Sequence, residues 1–288
     1  MARSPSSSVQ AAREALAARL RDIRLDAGLK AREVAIRAGW HPSKASRLEN
    51  AVTPPSDADI RDWCRICGAD DQAADLIAAS RSAESMYVEW RRLQRTGLRR
   101  LQESYVPLFE RTRTFRIYCS NVVPGLLQTP AYATALLTEI TDFRQTPNDV
   151  TEAVAARMDR ARVLREGDHQ FAILVEEAVL RYCIGDAGVM AGQLGHLLSI
   201  MSLPAVSLGV VPFSASRHMW PLETFSIYDS AQAQVELLTA AVNVTAPSEI
   251  DQYARAFERL SDAAVYGATA RTLIAKAIQH SANSRAIS

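Results

Sequence analysis

The side chains best suited to chemistry in this sequence cluster between positions 41 and 47. Five of them would share the start of one helix: His41, Pro42, Ser43, Ser46 and Arg47. Hydroxyl and guanidinium groups hydrogen-bond to the edges of DNA bases, and a guanidinium can fork onto O6 and N7 of guanine. Arg32 and Lys44 fall where DNA phosphates would lie. The pattern therefore predicts a DNA-contacting surface made of these seven residues.

Residues 20–50 have the features of a helix-turn-helix, the scaffold that such a surface needs. A small residue must stand where the two helices cross, and Ala35 meets that need. Four positions later, Gly39 provides the positive φ of the turn. The second helix should begin near His41 or Pro42, because proline suits a first helical turn, where its missing N–H has no partner. Three apolar residues would hold that helix onto the first: Val34, Ala45 and Leu48.

Three residues of the surface have two interpretations each. Arg47 either forks onto a guanine or binds a phosphate, with phosphate contact favoured. Ser43 either contacts a base edge or caps the helix. His41 is interpreted as a turn residue in preference to a base reader. For the whole segment, the alternative is a helix-turn-helix that serves only as a packing unit.

This segment resembles the lambda-repressor-like, Xre-type regulators. The resemblance rests on eleven positions: Arg24, Gly28, Leu29, Glu33, Val34, Ala35, Gly39, Ser43, Ser46, Arg47 and Glu49. It implies a buried ion pair between Arg24 and Glu49 that locks the first helix to the recognition helix. It also implies DNA contacts from Ser43, Ser46 and Arg47.

Three residues depart from the pattern of that family. Ala31 replaces a glutamine that often binds phosphate, Pro42 replaces a polar base reader, and Ala51 replaces a glycine. These departures bear on the phosphate clamp and on the target sequence more than on DNA binding itself.

Residues from about 85 to 280 resemble the Scr1-like, antitoxin-like regulators of actinobacteria, a family first defined as a domain of unknown function. The most specific element is the run VPGLLQT at 123–129. Further matching residues are Trp90, Gln102, Tyr105, Glu110, Tyr132, Ala133, Glu177, Ala178, Leu180, Arg181, Gly185, Gln193, Leu194, His196, Leu197, Val211, Pro212, Phe213 and Phe225. The stretches 218–223 and 263–267 depart from the family. The resemblance implies a small protein partner, often encoded by an adjacent gene, and no catalysis.

The length of 288 residues and the apolar content of 48% fit two domains with real cores. The predicted fold class is multidomain: an all-α, lambda-repressor-like helix-turn-helix domain, then an α+β domain with a mixed sheet. The predicted boundaries are a disordered tail at 1–10, the helix-turn-helix domain at 11–80, a connector helix at 81–112, the α+β domain at 113–281 and a flexible tail at 282–288.

Hydrophobic periodicity predicts the elements of the second domain. Strands are expected at 113–119, 171–175, 206–211, 225–228, 234–238 and 242–245, and helices at about 130–140, 148–165, 187–201, 248–264 and 269–280. In the helix at 148–165, four positions should face inward: Val150, Val154, Met158 and Ala161. Four arginines should face solvent: Arg157, Arg160, Arg162 and Arg165.

Several classes of function are disfavoured. The formal net charge is +1, so only the ten cations against five anions in residues 1–50 favour nucleic acid. Cys64 and Cys67 have CxxC spacing without two further ligands, so core packing is expected and no metal or cofactor. Nucleotide-binding and hydrolase motifs are absent, and adjacent Glu176 and Glu177 would face opposite sides of a strand. The three histidines of the second domain are interpreted as structural: His169, His196 and His218.

The favoured function is a DNA-binding transcriptional regulator and homodimer, controlled through its C-terminal domain by a small protein or a ligand. Without a signal-peptide or membrane segment, a cytoplasmic, nucleoid-associated location is expected. The alternative is an antitoxin-like module that sequesters the product of a neighbouring gene, with DNA binding only autoregulatory. A third hypothesis is a ligand-gated sensor.

Overall fold

The computed structural model describes residues 5–82, 87–89 and 94–284. The chain divides into two compact units, one of residues 1–87 with 243–251 and one of 88–242 with 252–288. Trp90, which belongs to the second resemblance, lies outside the described residues. Within the described residues, no helix combines the length and apolar character needed to cross a membrane.

The N-terminal helical domain consists of five helices. They are α1 (Pro5–Asp26), α2 (Ala31–Arg37), α3 (Pro42–Glu49), α4 (Asp57–Cys67) and α5 (Ala73–Ser82), with a 3-10 turn at Asp70–Gln72. Its core forms from apolar residues that repeat at helical spacing, among them Leu20, Ile23, Val34, Ala35, Ala45, Leu48, Ile60 and Trp63. Trp63 also donates a 2.9 Å hydrogen bond from Nε1 to the carbonyl of Leu20. This bond satisfies the buried indole N–H and fixes α4 against α1.

Cys64 is fully buried in this core, and Cys67 packs at its margin. Both are free thiols, and burial raises the pKa of Cys64 to about 11. No group of three or more metal-ligating side chains occurs among the residues that the structure describes. The packing interpretation of the CxxC spacing therefore agrees with where Cys64 lies.

The described residues include seven strands, which form one mixed sheet. They are β1 (Tyr87–Glu89), β2 (Thr114–Cys119), β3 (Gln170–Glu176), β4 (Val206–Val211), β5 (Phe225–Tyr228), β6 (Gln232–Glu236) and β7 (Ala240–Val244). Their order is β1-β7-β6-β5-β2-β3-β4. The pairs β2–β3 and β3–β4 are parallel, whereas β2–β5 and β5–β6 are antiparallel. The fold class predicted for the C-terminal domain, α+β with a mixed sheet, is confirmed.

The helices of this domain are α6 (Arg99–Ser104), α7 (Val106–Arg111), α8 (Pro130–Arg144), α9 (Val150–Arg160), α10 (Ala187–Ile200), α11 (Pro247–Asp262) and α12 (Gly267–Ser284). Short 3-10 helices lie at Gly125–Leu127, Ala161–Leu164 and Glu177–Leu180. The central parallel strands are buried on both faces, so β3 and β4 are nearly continuous apolar runs. The predicted and observed bounds of β4 and β5 coincide, because each run is short and ends at turn residues.

The ends of the chain and the predicted connector differ from expectation. α1 begins at Pro5, inside the stretch 1–10 that was predicted to be a disordered tail, and α12 extends to Ser284, into the predicted flexible tail. Proline is compatible with a helix start because its missing N–H needs no intrahelical partner there.

The connector helix predicted over 81–112 is wrong, since the described part of this stretch holds a strand and two short helices. Gly97 has φ +101°, and a Cβ there would clash with the Asp149 carboxylate. The Asp149 carboxylate accepts the N–H groups of Leu98 at 2.7 Å and of Arg99 at 2.9 Å. A new helix therefore starts at this position. Its start depends on Asp149, which lies about 50 residues later in the chain, so the hydrophobic periodicity of the segment cannot predict it.

The predicted outward orientation of two arginines on α9 is also wrong. Arg160 is 9% exposed and Arg157 is only partly accessible, whereas Arg162 and Arg165 are exposed as expected. Both inward arginines are hydrogen-bonded to polar groups from other elements. A charged side chain is expected to face solvent when only its charge is considered. Here, hydrogen bonds to these partners offset the cost of burying the two guanidinium groups inside the domain.

Candidate DNA-binding surface

The turn between α2 and α3 is built around a small residue and a glycine. Ala35 is fully buried where α2 packs against α3. Its carbonyl accepts a 2.8 Å hydrogen bond from the N–H of Trp40. Gly39 has φ +68°, a left-handed conformation that side chains with a Cβ rarely adopt. Together they produce the sharp reversal that directs α3 away from α2.

The start of α3 is fixed by His41 and Pro42. His41 is the N-cap, and its Nδ1 accepts a 3.3 Å hydrogen bond from the N–H of Ser43. Pro42 follows as the first helical residue. The Ser43 hydroxyl lies 2.8 Å from His41 Nδ1. The imidazole of His41 therefore caps the helix. The role of helix cap, which was one of two interpretations of Ser43, is thus performed by His41.

The structure brings the five predicted contact residues of α3 onto one surface. Ala45 and Leu48 are buried against the core, and the other face is exposed. Its exposed residues are His41, Pro42, Ser43, Ser46 and Arg47. No ion pair forms at Arg47 among the described residues, so its guanidinium keeps its donors for another molecule. Arg32 is also exposed, on the first turn of α2.

Arg24 and Glu49 form a two-pronged ion pair that connects α1 with the end of α3. One prong joins Arg24 Nε to Glu49 Oε1, and the second joins Nη2 to Oε2 at 3.1 Å. The third nitrogen, Nη1, donates to the carbonyl of Leu29 at 2.7 Å. The hydrogen bond that Arg24 donates to Glu49 raises the pKa of Arg24 despite the opposing effect of burial. The pair holds α3 at a fixed angle on the domain.

Lys44, for which the sequence predicts a phosphate contact, is paired within its own domain. Its Nζ lies 2.6 Å from Asp59 Oδ1 on α4 and 4.4 Å from the centroid of the Trp40 ring. The ammonium group is therefore engaged within its own domain. This pairing joins α3 to a residue of α4, which the spacing within the helix-turn-helix does not reveal.

We expect a pH-dependent contribution to stability from Asp59. Burial opposes ionisation, but hydrogen bonds from Lys44 and Ser56 outweigh it, so the pKa of Asp59 is lowered. A lowered pKa stabilises the fold above the unfolded value of about 3.9, and this stabilisation is lost as the pH falls through the folded value. The difference in urea midpoint between the native chain and Asp59→Asn should thus be largest at neutral pH and shrink below about pH 4. An equal difference at neutral pH and below pH 4 would contradict this role; Asp62→Asn is the control, because its half-exposed carboxylate lies in a solvent-exposed i,i+3 pair with Arg65 on the same helix.

A second prediction concerns Ala51, which follows α3 with φ +54°. A non-glycine residue in this conformation costs about 1–2 kcal/mol, and the greater freedom of glycine in the unfolded chain offsets part of that. Ala51→Gly should therefore raise the free energy of unfolding by about 0.5–1 kcal/mol, measured by urea denaturation. Ala38→Gly is the control, because Ala38 has φ −82° and gains nothing from glycine. Stabilisation by both variants would exclude relief of strain.

The candidate catalytic residues of the second domain are each engaged separately. Glu176 ends β3 and pairs with Arg217, and it also accepts a 2.7 Å hydrogen bond from the hydroxyl of Tyr118. Glu177 pairs with Arg181 at 2.7 Å and accepts the N–H of Phe213 at 2.9 Å. The two carboxylates thus have different partners, and Glu177 lies beyond β3, in the 3-10 helix Glu177–Leu180, so the expected opposite faces of one strand do not apply.

The three histidines likewise lie in separate environments. His169 Nδ1 lies 2.7 Å from the carbonyl oxygen of Thr112, next to Phe115. His196 is half-buried, which lowers its pKa, and His218 is exposed. No two of them are brought together among the described residues.

Comparison with known families supports two domains. A model described as a helix-turn-helix domain matches residues 15–77, which run from within α1 to within α5. A second, described as a domain of unknown function (DUF5753), matches residues 102–276, more than half of the chain. No curated protein and no solved structure matches the chain.

Proposed function

Because this chain belongs to the DUF5753 family and has an N-terminal helix-turn-helix domain, we propose that it is a transcriptional regulator that binds an operator through α3. The observation that carries the proposal is the exposed face of α3. It presents polar groups and an unpaired guanidinium on a helix whose opposite face is buried and whose end is locked by Arg24 and Glu49. The proposal includes action in the cytoplasm, at the nucleoid, and no catalysis.

The roles of the individual residues follow from what each side chain is free to do. Ser46 and Arg47 are exposed on the outer face of α3, where a recognition helix meets base edges or phosphates. Arg32 contacts a phosphate in this proposal. Lys44 is held by Asp59, so its contribution is the position of α3 and a nearby positive charge. Ser43 and His41 stabilise the helix start that enters the groove.

We propose a homodimer as the DNA-binding form. One module of this size buries only about 600–1,000 Å² of protein surface on DNA. Two modules about 34 Å apart, one helical turn of DNA, would double the contact and recognise a pseudo-palindrome. The specificity that an operator requires therefore favours two copies.

The test is selection of binding sites from random duplex DNA with the full chain, followed by titration of the selected site. Arg47→Ala should weaken binding to that site about 5- to 150-fold, which corresponds to about 1–3 kcal/mol. Arg61→Ala is the control, since it removes an equal charge from an exposed position on α4. Failure to select any sequence, or equal losses with both variants, would refute specific binding through α3.

A small protein partner is a second candidate, favoured by two exposed aromatic residues between β4 and β5. Phe213 and Trp220 are 62% and 68% exposed, and aromatic side chains are enriched at protein interfaces. In this proposal the chain sequesters the product of a neighbouring gene in the manner of an antitoxin. A stoichiometric complex with that product should be lost with Trp220→Ser and unchanged with Arg47→Glu. A complex that is unaffected by Trp220→Ser, or no complex at all, would exclude this surface.

A further inference from the structure

A cavity of about 460 Å³ lies within the C-terminal domain. Small-molecule sites in proteins span about 300–1,000 Å³, so this volume suffices for a ligand of modest size. Its lining includes apolar side chains, among them Leu126, Leu137, Ile140 and Phe225. It also includes polar side chains, among them two arginines of α9.

Arg157 and Arg160 lie one helical turn apart and both line the cavity. Arg157 donates from Nε to Gln102 Oε1 at 3.1 Å and from Nη1 to Gln128 Oε1. Arg160 donates from Nη1 to the carbonyl of Gln102 and lies over the Tyr105 ring at 5.0 Å. All of these partners are neutral, and neither guanidinium has an ion pair among the described residues. Two enclosed positive charges thus lack a counter-charge in contact with them.

The hydrogen bonding around this pair is incomplete. Arg160 Nε and Gln94 Oε1 are buried polar atoms without a hydrogen-bond partner in the described residues, and both residues line the cavity. Burial, and then repulsion from Arg160, lower the pKa of Arg157 to about 10. A guanidinium that is removed from water without an anion is unfavourable, because it loses hydration without a compensating charge. The arrangement is the one that an anionic ligand would complete.

The charged side chains that line the cavity carry a net positive charge. Its charged lining residues are Arg144, Arg157, Arg160 and Glu236. Burial lowers the pKa of Arg157 and Arg160, and the Glu236 carboxylate opposes this through space, but it is one negative charge against three guanidinium groups, so the lining stays positive overall. A cation or a neutral polar molecule would leave that excess uncompensated.

The VPGLLQT run forms part of the wall next to the arginines. A Cβ on Gly125 would lie 3.5 Å from Arg160 Nη2, so the backbone of the turn passes close to the guanidinium. Gln128 accepts from Arg157 and donates from Nε2 to the carbonyl of Val123 at 2.7 Å. The residues that carry the family resemblance therefore hold the arginines in place.

We propose that this cavity binds a small organic anion, with a carboxylate or phosphate head on Arg157 and Arg160 and an apolar body against Leu126, Leu137 and Ile140. Guanidinium groups bind both heads through paired, charge-assisted hydrogen bonds. The inference goes beyond the proposed operator binding, and binding of the anion itself needs no DNA.

The experiment is isothermal calorimetry of the full chain with octanoate, octyl phosphate and 1-octanol. The three probes share one tail, so a comparison isolates the head group, and the two anions distinguish a carboxylate from a phosphate ligand. We expect saturable binding of at least one anion at one site per chain and at least about tenfold weaker binding of the alcohol. Equal affinity for the alcohol, or no heat with either anion, would overturn the proposal.

Variants connect that binding to the cavity. Arg157→Gln and Arg160→Gln should each weaken anion binding about tenfold or more, whereas Arg162→Gln, exposed next to the same helix, should not. If either arginine variant fails to fold by circular dichroism, Ser226→Phe fills the cavity without removing a charge and should abolish binding. Anion binding that survives in the folded variants would place the ligand elsewhere and refute the site.

The two proposals can fail separately. A chain that binds octanoate but selects no DNA sequence loses the proposed function and keeps the ligand site. A chain that selects DNA but binds neither anion loses the ligand site alone. Addition of the bound anion to the DNA titration then measures whether the two sites are coupled.

Discussion

Glu49→Gln should lower the free energy of unfolding of the N-terminal helical domain by about 3–5 kcal/mol, the usual cost of breaking a buried ion pair. The substitution keeps the shape of Glu49 but leaves the Arg24 guanidinium with no anion, and both side chains are about nine-tenths buried. Because the pair connects α1 with the end of α3, the backbone amides of α3 should lose the most protection from hydrogen exchange. Hydrogen exchange of peptides within 20–50 in the full chain measures this loss directly.

Two further variants separate the ion pair from general disturbance. Arg24→Met combined with Glu49→Met removes both charges, and it should cost much less than Glu49→Gln alone, since no unpaired charge remains. Arg21→Met, exposed on the same helix, should have little effect. A double variant as unstable as the single one would show that the pair acts through packing alone.

Gln193→Leu should destabilise the C-terminal domain by about 2–5 kcal/mol. Gln193 is fully buried on α10, where its Oε1 accepts the N–H of Thr129 and its Nε2 donates to the carbonyl of Leu127, each at 2.7 Å. Leucine has a similar size but satisfies neither group, and each buried orphan costs about 1–3 kcal/mol. Urea denaturation measures the loss, and hydrogen exchange should localise it to the turn at 123–129.

The matched control is Gln170→Leu, which replaces an exposed glutamine at the start of β3. It should leave both the unfolding midpoint and the exchange of the turn unchanged. Because the turn adjoins Arg157 and Arg160, Gln193→Leu should also weaken binding of the anion that the cavity takes, octanoate or octyl phosphate, in the protein that remains folded. Equal destabilisation by the two leucines would indicate that loss of polarity alone, at any position, explains the effect.

Local rules account for the features that could be predicted from sequence. Ala35 and Gly39 specify a tight crossing through size and backbone freedom, and Pro42 marks a helix start through its missing N–H. The strands at 206–211 and 225–228 are short apolar runs bounded by turn residues. Each of these patterns acts over a few residues, so the sequence shows it directly.

The failures share a different cause, a partner distant in sequence. The helix predicted over 81–112 is replaced because Asp149 caps a new start at Arg99. The pair of Lys44 with Asp59 on α4 was likewise not foreseen, and the contact of Lys44 with a phosphate stays a prediction. Arg157 and Arg160 were expected to face solvent, but they point into the domain because neutral groups from other elements accept their hydrogen bonds. The hydrophobic periodicity of a segment contains no information about such distant partners.

By itself, therefore, the sequence determined the helix-turn-helix, the two domains and the surface of α3, because these depend on residue type and short-range spacing. Only the tertiary structure decided which cations of that surface are free and which are occupied. It alone also brought Gln102, Gln128 and the two arginines of α9 around one cavity. The physical reason is that a charged side chain can be buried only where its hydrogen bonds are satisfied, and here several distant chain segments together provide the partners.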